Sequence, residues 1–137
     1  MSQLDLRRFS ASNTALAASL AFILVVTLTP THEQHQVHLR PLQDVLAVFE
    51  PTLNLQRLFG VIGNVVLFAP LGAVLRARGL ELGQAAARGV ALSFAIELTQ
   101  LAIPGRTTSV DDMLLNTLGA VLGYLLAARW LSGSRRA

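Results

Sequence analysis

Residues 97–116 read ELTQLAIPGRTTSVDDMLLN. A carboxylate, Glu97, stands inside an apolar run. Pro104-Gly105 then breaks the run, and Arg106, Asp111, Asp112 and Asn116 follow before the chain turns apolar again. Two long apolar stretches joined by a short polar turn predict a helical hairpin. Pro104-Gly105 ends the first helix, read as residues about 84–103. Two acids suit the N-terminus of the second, residues about 112–131, because they complement the helix dipole. Ala85, Gly89, Ser93 and Glu97 recur every four residues, so they form one stripe of the first helix. Small residues at that spacing let another helix approach closely. Asn116, Gly119 and Gly123 share a face of the second helix, and Gly119 to Gly123 is a GxxxG close-packing pattern that also offers a surface for homo- or hetero-oligomers. Trp130 sits where an interfacial aromatic belongs.

Upstream lie two more apolar runs. LFGVIGNVVLFAPLGAVL at 58–75 predicts a helix over about 58–76. Asn64 interrupts it early, and Pro70 removes one backbone hydrogen bond, a defect that membrane helices tolerate. TALAASLAFILVVTLT at 14–29 carries no charge and predicts a helix over about 13–30, long enough to span a bilayer. The rival reading is a cleaved signal peptide, but Thr27, Thr29 and Pro30 stand where a small-x-small cleavage site is needed. Residues 1–12 read as a polar head and 132–137 as a basic tail. The loop 31–57 is polar, with Leu42, Val45, Leu46 and Phe49 at helical spacing. They predict a short amphipathic helix, either lying in the interface plane or packing over the bundle end.

Composition points the same way. The 137 residues are 53% hydrophobic and only 14% charged, against roughly 25% charged in soluble domains. Mean hydropathy is +0.54. The expected fold is therefore all-α, a single domain over 13–131 built as a membrane bundle of four transmembrane helices. No cysteine is present, which excludes disulfides and thiolate chemistry. All 11 basic residues are arginines, scattered around the apolar runs. They form no clustered basic face, so nucleic acid is not an expected partner. Eight of the 11 flank one side of the predicted bundle: Arg7, Arg8, Arg76, Arg78, Arg88, Arg129, Arg135 and Arg136. Arg40, Arg57 and Arg106 lie on the other. The positive-inside rule then puts both termini in the cytoplasm of a multi-pass protein of the plasma membrane, with the loops 31–57 and 104–112 outside.

With that topology, the rise of 1.5 Å per residue sets the depth of each polar group. Asn64 lies roughly 9 Å in from the outer surface, Glu97 roughly 10 Å and Asn116 roughly 8 Å. Gln100 is shallower, and Arg106, Asp111 and Asp112 lie just above. Three helices thus present polar side chains at one level, which predicts a shared site. A carboxylate in a membrane helix needs a partner or water. The nearest cation in sequence is Arg106; otherwise Glu97 is carried uncharged, hydrogen-bonded to Asn64 or Asn116.

NVVLFAPLG at 64–72, ELTQ at 97–100 and RTTSVDDMLLNTLGA at 106–120 resemble the VanZ-like family of small bacterial integral membrane proteins. The resemblance covers residues 58–128. It implies a place in the cell envelope but no settled activity; the family takes its name from a protein linked to glycopeptide resistance, and membership alone does not imply resistance for this chain. Candidate site residues are Asn64, Glu97, Gln100, Arg106, Asp111, Asp112 and Asn116. One reading is a site for an anionic lipid or cell-envelope precursor group, with the guanidinium of Arg106 as anion contact. The others are an interhelical polar clamp, a hydrolase or transferase on a lipid-linked substrate with Glu97 or Asp112 as general base, and a helix-packing partner in a membrane complex. Arg106 has a second possible role, a salt bridge to Asp111 or Asp112 that shapes the turn. One of the acids also suits a helix cap. Neither the aspartates nor His32, His35 and His38 carry the supporting pattern of a metal site. No nucleophile–base pair or Gly-rich phosphate loop appears, so no cofactor is expected.

Overall fold

The computed structural model describes residues 3–30, 36–49 and 55–133. Among them are four long helices: α1 (Gln3–Leu28), α3 (Leu55–Ala77), α4 (Leu82–Gln100) and α5 (Val110–Gly133). A four-residue helix, α2 (Gln43–Leu46), runs into a 3-10 turn at Ala47–Phe49. His32 and His35 lie outside the described residues. The helix α1 starts at Gln3, so the stretch expected as a polar head is helical. Nothing in QLDLRRFSAS breaks a helix, and polar residues on an exposed end cost it little. The helix α3 continues through Pro70.

Three of the helices contain stretches long and apolar enough to cross a membrane: Phe9–Leu28, Arg57–Ala77 and Val110–Gly133. The helix α4 differs. Its 19 residues extend roughly 28 Å at 1.5 Å each, but Gln84, Arg88, Glu97 and Gln100 lower its hydropathy below that of the others.

The bundle is arranged around α5, whose most extensive contact is with α3 and whose next is with α4. Glycines make the α3–α5 contact possible. A Cβ added at Gly119 would lie 2.2 Å from the Val65 carbonyl oxygen, one at Gly123 1.9 Å from that of Ala69, and one at Gly72 1.8 Å from that of Ala120. The backbones therefore touch, as small-residue helix packing requires. The GxxxG face is thus filled inside the chain by α3, and an oligomer through Gly119 and Gly123 would have to displace that helix. The other small stripe also packs as expected. Ala85, Gly89, Ser93 and Glu97 are all buried on α4, with Gly89 close to Ala120 and Thr117 of α5. Ile23 on α1, with Leu67, Phe68, Leu71, Leu75, Ile96 and Tyr124, completes the apolar core.

The connection between α3 and α4 is a tight reversal. Gly79 takes a positive φ of 80°. The Gly79 N–H donates to the Arg76 carbonyl (3.0 Å) and the Leu80 N–H to the Leu75 carbonyl (3.2 Å), the paired bonds of a glycine-closed helix end. At this end Arg78 donates to Asn13 Oδ1 at 2.6 Å and Ser12 Oγ at 3.1 Å, tying α1 to α3. The opposite end carries two short strands that sequence periodicity did not predict. β1 (Gln36–His38) and β2 (Thr107–Ser109) pair in parallel, Gln36 opposite Thr107. They join the loop after α1 to the loop before α5.

Candidate functional site

The last turn of α1, the first turns of α3 and α5 and the last turns of α4 meet at the end closed by β1 and β2. A cavity of about 500 Å3 opens between them. Six sequence candidates line it: Asn64, Glu97, Gln100, Arg106, Asp112 and Asn116. The equal depths derived from sequence spacing are therefore matched by a common wall.

The pairing within that wall differs from expectation. Glu97 is not paired with Arg106. One of its carboxylate oxygens, Oε2, accepts the backbone N–H of Ser109 at 2.9 Å. Arg106 turns to α1 and donates to the carbonyls of Val26 (3.0 Å) and Thr27. Gln100 Nε2 donates to the same Thr27 carbonyl at 2.8 Å. These oxygens belong to the last turn of α1, where carbonyls have no helical partner and a cation is favoured. The salt bridge of Arg106 to an aspartate is replaced by this cap.

Asn64 and Asn116 do not reach Glu97 either. Asn64 Nδ2 donates to Asp112 Oδ1, linking α3 to α5. Asn116 Nδ2 donates to Ser93 Oγ at 2.9 Å, linking α5 to α4. Asp111 does not line the cavity. It is 1% exposed and accepts the backbone N–H groups of Leu42 and of Val45, the latter at 3.2 Å. It holds α2 down on the bundle. Ser109 supplies the side-chain cap for α5 instead, its Oγ accepting the Asp111 N–H at 3.2 Å.

Sequence reasoning missed the contribution of α1, because its main one is two backbone carbonyls that no residue type advertises. It also assigned Ser93 to packing alone. The period of four in Ala85, Gly89, Ser93 and Glu97 carried the signal: the single hydroxyl among small residues faces Asn116. Among the described residues, no three acidic or imidazole side chains are grouped to hold a metal ion.

The site and fold define a small helical protein with membrane-length helices and a polar cavity at one end of the bundle. The chain belongs to the VanZ/LLP1 family, whose family model matches residues 9–131. No curated protein and no solved structure matches it.

Proposed function

We propose that this protein is a four-span plasma-membrane protein with both termini in the cytoplasm, and that its cavity binds the head group of an anionic lipid or lipid-linked envelope precursor in the outer leaflet. One observation carries the reading: six polar side chains from α3, α4, α5 and the turn before α5 share one cavity wall. A structural clamp needs its groups paired with each other and leaves no space between them. Here about 500 Å3 lies between them, and polar groups kept at membrane depth mark ligand sites. The fourth span is α4: its Ser93, Glu97 and Gln100 are buried within the bundle, and Gln84 and Arg88 are exposed near its other end. Arginine distribution supports the orientation. Arg106 is the anion contact; Asn64 holds Asp112, and Ser109 holds Glu97, to fix the geometry around it.

The test is lipid analysis of purified protein. Wild type is expected to retain an anionic lipid, and Arg106→Ala to lose it by tenfold or more, about 1.4 kcal/mol. Equal retention by wild type, Arg106→Ala and Glu97→Gln would refute the reading. A second reading, hydrolysis or group transfer on a lipid-linked substrate, is favoured by the presence of two carboxylates, Glu97 and Asp112, in the same wall. Turnover by the purified protein that disappears in Glu97→Gln would select it.

A further inference from the structure

We infer that the ligand of this cavity is a lipid whose head group carries hydroxyls beside its anionic group, and that its acyl chain leaves through the slot between α1 and α3. This rests on the binding reading above and names the head group.

Three polar side-chain atoms of the cavity residues are buried without a partner: Gln100 Oε1, Asn116 Oδ1 and Arg106 Nε. Gln100 is 5% exposed and Asn116 2%. The amide nitrogens of both are already committed, to Thr27 and Ser93. The residues that line the cavity therefore carry two unmet acceptors and one unmet donor, buried just behind its surface, and a ligand reaches them by a small turn of these side chains. Phosphate or carboxylate oxygens only accept. A bare anion answers Arg106 and leaves both amide oxygens desolvated, which weakens its binding. An alcohol both donates and accepts. A phosphodiester bearing a diol supplies every missing partner: its anionic oxygen for Arg106 and its two O–H groups for Gln100 and Asn116. Glu97, with only Oε2 engaged by Ser109, adds a further acceptor to the same wall.

The second observation fixes the tail. One side of the cavity is apolar, formed by Phe22 and Val26 of α1 and by Phe59, Gly60 and Gly63 of α3. Phe22 and Phe59 are mostly exposed, and a Cβ added at Gly60 or Gly63 would touch nothing within 4 Å. The slot is open and runs without interruption into the polar wall. Both flanking helices are long and apolar enough to span a bilayer, so the slot faces hydrocarbon. A soluble sugar phosphate leaves it empty, whereas an acyl chain fills it.

The experiment reconstitutes the full chain with an equimolar mixture of phosphatidylglycerol, phosphatidylinositol, phosphatidylpropanol and phosphatidylethanolamine, and identifies retained lipid by native mass spectrometry. Phosphatidylpropanol keeps the phosphodiester charge and lacks hydroxyls. A hydroxylated lipid is expected to be retained roughly tenfold over it, and which of the two wins distinguishes a glycerol from a ring polyol. Gln100→Met is expected to bring that ratio towards one, and Gly63→Phe, which fills the slot, to lower retention of all four. The wild-type comparison needs no substitution, so it stands even if a variant fails to fold. Equal retention of phosphatidylpropanol and the hydroxylated lipids, or preference for phosphatidylethanolamine, overturns the hydroxyl assignment. In the first case the anionic-lipid reading survives. Retention of no anionic lipid ends both. Full displacement of bound lipid by soluble glycerol phosphate at equal concentration overturns the acyl-chain assignment.

Discussion

Asp111 and Asp112 are adjacent, and successive helix positions point about 100° apart. One carboxylate therefore enters the cavity wall while the other is buried against α2. This geometry gives Asp111 a structural role that can be measured separately. Asp111→Ala frees the N–H groups of Leu42 and Val45, and leaving such donors unmet costs about 1–3 kcal/mol. Thermal unfolding in detergent should show that loss, and hydrogen exchange should accelerate at residues 42–46. Asp111→Asn, which keeps one acceptor oxygen, should lose less. The sequence reading placed both aspartates at the site and gave the general-base role to Glu97 or Asp112; that Asp111 leaves the site for α2 was not legible. Both satisfy a helix N-terminus equally well, and only the path of the loop after α1 decides between them. Arg106 was similarly opaque, since its partners are carbonyls rather than side chains. The shared depth of Asn64, Glu97 and Asn116 was legible, because helix rise converts residue spacing directly into distance.

At the scale of elements, α3 and α5 form the centre of the bundle. Their contact depends on three glycines set against facing carbonyl oxygens. Gly123→Ala places a methyl group 1.9 Å from the Ala69 oxygen, so the helices must separate. Overpacking of this kind costs about 1–3 kcal/mol. A lowered melting temperature in detergent, larger still for Gly123→Leu, is the expected result. An unchanged melting temperature would mean that the helices are not in backbone contact. The glycine spacing revealed that a close contact exists, but not that the partner is α3 of the same chain. A GxxxG pattern describes a surface and leaves its occupant open. The strands β1 and β2 escaped the sequence reading for a different reason. Three residues are too few for an alternating pattern to register.

For the whole molecule, the arginine distribution makes a directional prediction. The absence of cysteine means that single introduced thiols can be read without background. Leu39 and Arg129 are both exposed and stand at opposite ends. In intact cells a membrane-impermeant maleimide should label Leu39→Cys, and it should reach Arg129→Cys only after permeabilisation. The reverse pattern would invert the protein and move the cavity to the inner leaflet. Hydropathy identified three of the helices without ambiguity. It does not mark α4, whose Gln84 and Arg88 are exposed and whose Ser93, Glu97 and Gln100 are buried within the bundle.

The parallel pairing of β1 with β2 and the bonds from Leu42 and Val45 to Asp111, 69 and 66 residues apart, join distant points of the chain. Such distant closures are slow and come after local helices have formed. During synthesis the final turn of α1 must wait for 73 to 80 further residues before it meets Gln100 and Arg106. Until α5 has inserted, Glu97 lacks the Ser109 amide and the chamber has no roof. Partly made chains therefore lack a complete cavity wall, and closure of that wall marks the completion of folding.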